Sequence, residues 1–276
     1  TGPYRLLEAT DIVGSALGGH MYLNGDPEHG PVRTTAPQAY VQASVQAGVG
    51  ALIALFARSV NGGIGQHVDA SMQEAMANTM DNAQQTWDVS HVNLSGPGAY
   101  RQGMRYVYEC ADGYIAATGP LRGPDGSALI DWLAETGEAR GLDSPAWREK
   151  LTSMEPLTDD ERVYVEETLS AFCRTRRKVE VVEGAQARNA GWAPVLTPAD
   201  LVNNSHLAAR DYWVSVLHED LGQSFTYPGA PFRLSVTPWQ QRGRAPHIGE
   251  HNAQVYGGLL GKDEAELERL RAGKVI

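Results

Sequence analysis

The chain is 276 residues long, with 42% hydrophobic and 20% charged residues, as in a folded globular protein of about two domains. Its formal net charge is −10, and its lysines and arginines form no stripe, which argues against nucleic acid or an anionic membrane as a partner. Two cysteines without metal-ligand spacing indicate reduced thiols, no metal centre and a cytoplasmic location. No uninterrupted apolar run reaches the roughly 20 residues that span a bilayer.

The first predicted helix runs from Tyr4 to Asn24, where Leu, Ile and Val recur at broadly helical spacing. His20 lies within it and could act as a general acid or base near neutral pH. The sequence offers His20 no partner, so a structural role is favoured. Turn residues follow at Asn24-Gly25-Asp26-Pro27.

The longest predicted element is a helix over residues 36–58, made almost entirely of small and apolar residues. Its large apolar side chains fall on more than one face, which predicts a central buried helix. Asn61-Gly62-Gly63 ends this helix, because glycine tolerates backbone angles that helices do not. Residues 66–70 are predicted to form a short strand, and Ser71 is predicted to begin a second helix with Glu74 as its capping partner.

A polar connector containing glycine and proline is predicted at residues 88–102. Strands at residues 106–110 and 114–118 are predicted to form a hairpin around Asp112-Gly113. The glycine-containing segment 119–126 follows directly. A flexible surface loop is one interpretation of this segment.

The rest of the chain is predicted to alternate helices with strands. A capping box over Thr158 to Glu161 and the pair Thr197-Pro198 mark two helix starts. His247 and His251 lie close together, but no third ligand has useful spacing, so a turn before a helix is favoured over a metal site. The predicted helices cover residues 127–136, 144–151, 159–174, 178–189, 248–260 and 263–272, and the predicted strands cover 193–196, 212–218 and 224–227.

Several motifs occur in a fixed order along the chain. An arginine that closes the alanine-rich helix precedes Gly63-Ile64-Gly65-Gln66 and Val68-Asp69-Ala70-Ser71-Met72. The later motifs are Tyr108-Glu109-Cys110-Ala111-Asp112-Gly113, Ala190-Gly191-Trp192-Ala193-Pro194-Val195, Ser205-His206-Leu207-Ala208, Pro228-Gly229-Ala230-Pro231-Phe232 and Pro246-His247-Ile248-Gly249. In this order, over essentially the whole chain, they resemble the class III CoA-transferase (CaiB/BaiF) family. That family includes formyl-CoA and carnitine CoA-transferases and the related α-methylacyl-CoA racemases.

The resemblance implies an α/β fold, in which the helical centre of a large Rossmann-like domain joins a small α+β domain and chains pair as interlocked dimers. Residues 1–105 are then expected to form the central helical part of the large domain, 106–204 the small domain, and 205–276 the return to the large domain. The N-terminal third of the family fold, which supplies most of the CoA-binding strands, is absent from this sequence. We therefore expect either a longer protein or a second chain that supplies those strands.

Enzymes of this family attack an acyl-CoA thioester with an Asp carboxylate, and the racemases use the matching carboxylate for proton transfer. The resemblance places that Asp at Ala39, which Tyr40 follows. A methyl group supplies neither a nucleophile nor a base, so this chain alone is expected to be nearly inert. Asp69 and Glu74 are weak candidates for a replacement carboxylate. Glu74 already has a capping role, and Asp69 could share a strand face with His67 as a structural pair.

The resemblance also implies the ligands of the site. A coenzyme A thioester would be a substrate, not a permanently bound cofactor, and a small organic acid would accept the CoA. Arg101 and Arg105 could contact that acid, although solvated surface positions are favoured for both. Residues 119–126 fall where some family members carry a glycine-rich loop that closes over the reacting carboxylate, and this interpretation and a flexible surface loop have equal weight. The candidate substrate- or CoA-binding residues are Tyr40, Arg101, Gly119, Arg122 and Gly123.

Three hypotheses follow from the missing carboxylate. The chain is a catalytically silent subunit paired with a sister CoA-transferase subunit that carries the Asp, as in the benzylsuccinate CoA-transferase type. The second hypothesis is that the chain is a non-catalytic acyl-CoA-binding or scaffold protein. The third is that it is an active CoA-transferase or racemase that uses another carboxylate or is altered at Ala39. A co-purifying sister chain would favour the first, binding without exchange the second, and activity regained by Ala39→Asp without a partner the third.

Overall fold

A computed structural model describes residues 2–276 except 27, 81, 99, 102–103, 120, 122–125 and 154–155, and it leaves the side chains of residues 100 and 101 undescribed. The chain divides into two compact units, residues 1–195 and 196–276. The three-part division at residues 105 and 204 stays a prediction.

The N-terminal part of the first unit is helical. Its α-helices are α1 (Asp11–Leu17), α2 (Gln38–Val60), α3 (Met72–Ala77) and α4 (Ala83–Ser90). The single helix predicted over residues 4–24 is wrong in extent: α1 ends at Leu17, and a separate 3₁₀ turn covers His20–Leu23. Gly19 between them has φ +82°, a left-handed conformation that breaks the helical path.

Small residues allow α1 to approach α3 closely. A Cβ atom added at Gly18 would lie 2.3 Å from the Cβ of Met76, and one added at Gly14 would lie 2.2 Å from the Sδ of Met72. Only glycine fits these two positions without displacing a neighbour. Helix α1 therefore packs against α3 through the face that carries Gly14 and Gly18, next to the first turn of α2.

The prediction that α2 is a buried helix is wrong for this chain, because Ala39 is its only buried residue. Its principal neighbours α1 and α3 are 7 and 6 residues long, and they are too short to cover a 23-residue helix. The helix also meets the length and hydropathy criteria for a membrane span, with a mean hydropathy of 1.5, contrary to the sequence-based expectation. One such helix within the described residues is weak evidence, since core helices of soluble proteins meet the same criteria.

The segment after α2 begins as predicted. Gly62 and Gly63 have φ of +70° and +87°, which ends the helix. The strand predicted at residues 66–70 is wrong, because these residues form no ladder with a described strand. The next helix, α3, starts as predicted with Ser71 as N-cap, and the Ser71 side chain accepts the backbone N–H of Glu74 at 3.3 Å.

The second part of this unit is an α+β arrangement around one antiparallel sheet. The sheet has the order β3 (Val107–Cys110), β4 (Gly113–Ala117), β5 (Trp192–Val195), and a two-stranded ladder, β1 (Tyr100–Arg101) with β2 (Met104–Arg105), precedes it. The predicted hairpin is confirmed, with Cys110 paired to Gly113 across the turn residues Ala111 and Asp112. The helices are α5 (Gly126–Glu135), α6 (Pro145–Thr152), α7 (Asp159–Arg174) and α8 (Lys178–Gln186).

A single hydrophobic core lies between this sheet and its helices. Tyr108 and Ile115 from the sheet, Leu133 from α5, Phe172 from α7 and Trp192 from β5 are all buried in it. The rings of Trp132 and Phe172 pack edge to face, with 4.7 Å between their centroids. Helix α7 begins with the predicted capping box, in which Thr158 and Glu161 satisfy each other's backbone N–H groups.

The second unit holds short helices and one hairpin. Its elements are α9 (Pro198–Val202), α10 (Ser205–Ala209), β6 (Trp213–His218), β7 (Gln223–Pro228), a π-helical segment (Ala253–Leu259) and α11 (Glu264–Ala272). The predicted N-cap Thr197 and the strands predicted at residues 212–218 and 224–227 are confirmed, and β6 and β7 pair as an antiparallel hairpin. The helix predicted from residue 248 is shorter than expected, because residues 248–251 form turns around Gly249, whose φ is +77°.

Candidate functional site

The N-terminus of α2 is held by a carboxylate from another helix. Pro37 at the N-cap provides no side-chain cap. Instead, Asp11 Oδ1 accepts the backbone N–H of Ala39 at 2.8 Å and that of Tyr40 at 3.2 Å. Asp11 is 8% exposed and begins α1, 28 residues before Ala39. A negative charge at this end also complements the α2 dipole.

Ala39 and Tyr40 face different surroundings. Ala39 is fully buried, and its methyl would lie 3.1 Å from a Cβ added at Gly14 of α1. Tyr40 is 45% exposed. Neither side chain is a carboxylate.

The two weaker carboxylate candidates flank the start of α3, where Met72, like Ala39 of α2, is a neighbour of Gly14. Asp69 is exposed in the segment before α3, and Glu74 is exposed in the first turn of α3. The idea that His67 and Asp69 share a strand face loses its basis, because no strand forms there.

His20 has the partners that the sequence could not reveal. Its Nδ1 accepts a hydrogen bond from Asn24 Nδ2 at 3.0 Å, and the buried Ser15 hydroxyl lies 3.4 Å from the same nitrogen. Asn24 Nδ2 also donates to the His20 carbonyl at 2.9 Å. These contacts fix the 3₁₀ turn after α1 and support the structural role predicted for His20.

The structure describes only some of the predicted substrate-binding residues. Gly119 is exposed with φ +53° and lies two residues after the end of β4. Arg122 and Gly123 lie outside the described residues, and Arg101 is described only as part of β1. The backbone N–H of Arg105 donates to Glu166 Oε1 at 3.0 Å. These residues remain predicted binding residues.

Metal binding has no support within the described residues, where no group of three potential ligands occurs. His247 lies 3.5 Å from Asp220 Oδ2 in an ion-pair geometry. Arg244 binds Glu250 through two nitrogens, at 2.8 and 3.0 Å. These charge pairs hold the turn at residues 246–251, as expected for a structural turn.

Sequence reasoning missed Asp11. The residue lay inside a predicted helix, where nothing in its neighbourhood marks it as the cap of a second helix. The only available signal was the pair of small residues Gly14 and Gly18 in the same helix, which allow close approach by another backbone. A contact across 28 residues of sequence requires the tertiary structure.

Comparisons with known proteins agree with this fold. The sequence model of CoA-transferase family III matches residues 1–252. The chain is 35% identical over 270 residues to the succinyl-CoA:(R)-benzylsuccinate CoA-transferase subunit BbsE of Thauera aromatica, covering 92% of this chain and 62% of that subunit. It is 29% identical over 296 residues to a formyl-CoA:oxalate CoA-transferase of Streptomyces avermitilis, covering 100% of this chain and 69% of that enzyme.

A solved structure supports the same architecture. The crystal structure of a CAIB/BAIF family protein from Brucella suis superimposes with a TM-score of 0.76 at 18% identity, covering 94% of this chain and 65% of that one. The α/β fold expected from the sequence motifs is thereby confirmed. This chain spans only 62% of the length of the benzylsuccinate subunit. By its match over residues 1–252, the chain belongs to CoA-transferase family III.

Proposed function

We propose that this chain is a catalytically silent subunit of a class III CoA-transferase, which moves CoA between an acyl-CoA donor and an organic acid. Its sister subunit carries the catalytic Asp. The observation that carries this proposal is the first turn of α2, where the four side chains are those of Gln38, Ala39, Tyr40 and Val41 and none is a carboxylate. None of them can form the acyl anhydride on which the family chemistry depends.

The composition of α2 supports a protein partner. Its apolar side chains lie on all sides and are mostly exposed, for example Leu52 at 69% and Phe56 at 70%. Exposed apolar surface of this extent marks a surface that another protein element covers. The glutamines at positions 42 and 46 and the serine at 44 favour a protein over a lipid surface, because hydrocarbon cannot satisfy their hydrogen bonds.

The relatives indicate the kind of partner. The benzylsuccinate relative is named as a subunit, which fits a heteromeric enzyme of two related chains. We infer an interlocked, cytoplasmic heteromer in which the sister chain supplies the reactive carboxylate. The CoA thioester is its substrate and is not bound permanently.

The test is to purify the full-length protein in its native context and to identify any co-purifying chain by mass spectrometry. The complex and this chain alone are then assayed for transfer from succinyl-CoA to dicarboxylates, beginning with (R)-benzylsuccinate and oxalate. We expect transfer by the complex, and a rate at least about 10⁴-fold lower for this chain alone, since loss of a nucleophile has effects of that order. Transfer by this chain without a sister subunit would overturn the silent-subunit proposal.

A further inference from the structure

We propose that Cys110 and Cys173 are a redox-active pair, which hydrogen peroxide converts reversibly into a disulfide that locks the end of β3 to α7. Cys110 is the last residue of β3, and Cys173 is the next-to-last residue of α7. The pair lies outside the helix α2 on which the proposed function rests. This inference therefore goes beyond that function and does not depend on it.

The sulfur atoms of the two cysteines are in direct contact. The Cys173 thiol donates a hydrogen bond to the Cys110 sulfur, although the two residues are far apart in the sequence. Both side chains belong to the hydrophobic core between the small sheet and its helices, where Cys110 is 5% and Cys173 is 0% exposed. The chain contains two cysteines, so this contact brings both of its thiols together.

Hydrogen bonds hold the backbone next to the sulfur pair. The Arg176 carbonyl accepts the N–H of Ala111 at 2.9 Å, and the Arg176 N–H donates to the Cys173 carbonyl at 3.0 Å. Arg176 therefore connects the residue that follows Cys110 directly to Cys173. The end of β3 and the end of α7 cannot separate unless at least one of these hydrogen bonds breaks.

Charged side chains flank the same connection. Glu109 and Arg174, each a sequence neighbour of one cysteine, form an ion pair at 3.4 Å. Asp112 Oδ1 accepts the backbone N–H of Lys178 at 2.7 Å, and Asp112 Oδ2 lies 3.4 Å from Arg177 Nε. A disulfide requires two backbones that lie close together and side chains that point toward each other. Because these contacts and the shared hydrogen bond already provide both, the bond can form with little backbone movement.

The two thiols differ in the role that each takes. The hydrogen bond from Cys173 lowers the pKa of Cys110, while the same bond, together with burial, raises the pKa of Cys173. The thiolate is the nucleophile in thiol chemistry, so Cys110 attacks the oxidant and Cys173 reacts second. Cys110 also keeps the small exposed fraction of the pair, which favours attack on an oxidant as small as hydrogen peroxide.

The oxidation has two balanced steps. The Cys110 thiolate attacks one peroxide oxygen and the O–O bond breaks, so that Cys110 becomes a sulfenic acid and the departing hydroxide takes up a proton. The Cys173 sulfur then attacks the Cys110 sulfur and the S–O bond breaks, while the released hydroxide takes the Cys173 proton. The two thiols lose two electrons in total, and hydrogen peroxide is reduced to two water molecules.

The first experiment treats the reduced, folded full-length protein with hydrogen peroxide. Remaining thiols are blocked with N-ethylmaleimide in denaturant, and the protein is digested without reduction and analysed by mass spectrometry. We expect a cross-linked peptide pair that contains Cys110 and Cys173, which dithiothreitol converts back to two thiols. The proposal is overturned if both thiols stay reduced while glutathione in a parallel sample is fully oxidised, or if either cysteine pairs with a different thiol instead.

Single serine variants test the order of the two steps. In Cys173→Ser, the sulfenic acid on Cys110 has no thiol to resolve it, so dimedone added during denaturation should trap it. In Cys110→Ser, the fully buried Cys173 should carry at least about tenfold less dimedone adduct, because its thiol stays protonated. Equal adducts in the two variants, or more on Cys173, would overturn the assignment of Cys110 as the attacking thiol.

Thermal unfolding of the reduced and oxidised wild-type protein tests the lock. A disulfide between β3 and α7 closes a long loop and restricts the unfolded chain, so the midpoint of the oxidised form should rise by at least about 3 °C. The Cys173→Ser variant, treated in the same way, is the control and should show no such rise. An unchanged midpoint in oxidised wild-type protein that contains the cross-link would show that the disulfide does not lock these elements.

Discussion

Glu166 accepts the backbone N–H of Arg105 at 3.0 Å, which ties β2 to α7 across 61 residues of sequence. The carboxylate is only 6% exposed, and it also receives Arg162 one helical turn earlier, at 3.3 and 3.4 Å. This buried carboxylate therefore fixes the position of β2, which lies between the predicted connector at residues 88–102 and the sheet that begins with β3. The Arg162 guanidinium and the backbone N–H of Arg105 compensate the negative charge of Glu166.

We expect Glu166→Ala to lower the free energy of unfolding by about 3 kcal/mol, because it leaves a backbone donor and the Arg162 guanidinium without their buried acceptor. Glu167→Ala is the matched control, since Glu167 is the adjacent exposed residue on α7 and should change stability by less than about 0.5 kcal/mol. Chemical denaturation of both variants measures the difference. Equal stability of the two would show that the Glu166 contacts contribute nothing net.

The glycines of the helical part give a second prediction. A Cβ at Gly18 would lie 2.3 Å from the Cβ of Met76, an atom that side-chain rotation cannot move away. Gly18→Ala should therefore destabilise the protein by about 1–3 kcal/mol through overpacking. Gly48→Ala in the interior of α2 meets nothing within 4 Å and should stabilise the helix by about 0.5–1 kcal/mol. Thermal unfolding of both variants checks the opposite signs.

Local sequence signals predicted the elements whose causes are local. The capping box at Thr158, the hairpin turn before Gly113 and the N-cap Thr197 are all present, because each depends on residues within a few positions. The family assignment also followed from motifs and is confirmed. The burial of α2 could not be predicted in this way, since it depends on which elements cover the helix.

The site shows the same limit. Motif spacing placed the family's carboxylate position at Ala39 in the first turn of α2, but it could not show that this residue is buried or that Asp11 caps the turn. Both features depend on contacts with α1, which lies more than 20 residues earlier. The strand predicted at residues 66–70 failed for a related reason, because strand formation needs a pairing partner that local composition does not specify.

The exposed surface of α2 yields a third prediction, on assembly. Phe56→Glu places a charge on a side chain that is 70% exposed in this chain and apolar in character. We expect it to weaken association with the sister subunit by at least about 2 kcal/mol, roughly 30-fold in dissociation constant. Circular dichroism of the isolated chain should stay unchanged. Val236→Glu, at a similarly exposed apolar residue of the other unit, is the control. An unchanged dissociation constant in Phe56→Glu would remove α2 from the interface.

The two cysteines give a fourth prediction. The Cys173 thiol donates a hydrogen bond to Cys110, which lowers the pKa of Cys110, while the same bond and burial raise the pKa of Cys173. Both thiols are buried, and access decides their reactivity. We expect neither to react with N-ethylmaleimide in the folded protein within the time that fully labels the denatured protein. Rapid labelling of Cys110 in the native state, read by peptide mass spectrometry, would contradict this.

The charge cluster of the second unit gives a prediction for pH. Glu250 binds Arg244 at 2.8 and 3.0 Å and accepts the backbone N–H of His247 at 2.6 Å. The Arg244 hydrogen bonds first, and then the His247 N–H, lower the pKa of Glu250 to about 2. Because the folded pKa lies below the unfolded value of about 4.3, the stabilisation is complete above that pH. It is lost as the pH falls toward 2, where Glu250 becomes protonated.

The titration of Glu250 in Arg244→Gln separates the two causes of its lowered pKa, the Arg244 hydrogen bonds and the His247 N–H. Loss of the guanidinium should raise the Glu250 pKa toward its ordinary value, although the His247 N–H still holds it somewhat lower. Asp220, which lies 3.7 Å from Arg244 and 3.5 Å from His247, would then face His247 without the arginine.

Arg242→Gln, two residues away and exposed, is the control and should leave the Glu250 midpoint unchanged. Carbon-13 carboxyl shifts followed from pH 6 to 1.5 measure both midpoints, over a range of about four units that spans the folded and unfolded values. The two hydrogen bonds from Arg244 are assigned the larger part in lowering the Glu250 pKa. An unchanged Glu250 midpoint in Arg244→Gln would therefore mean that Arg244 does not bind this carboxylate in solution.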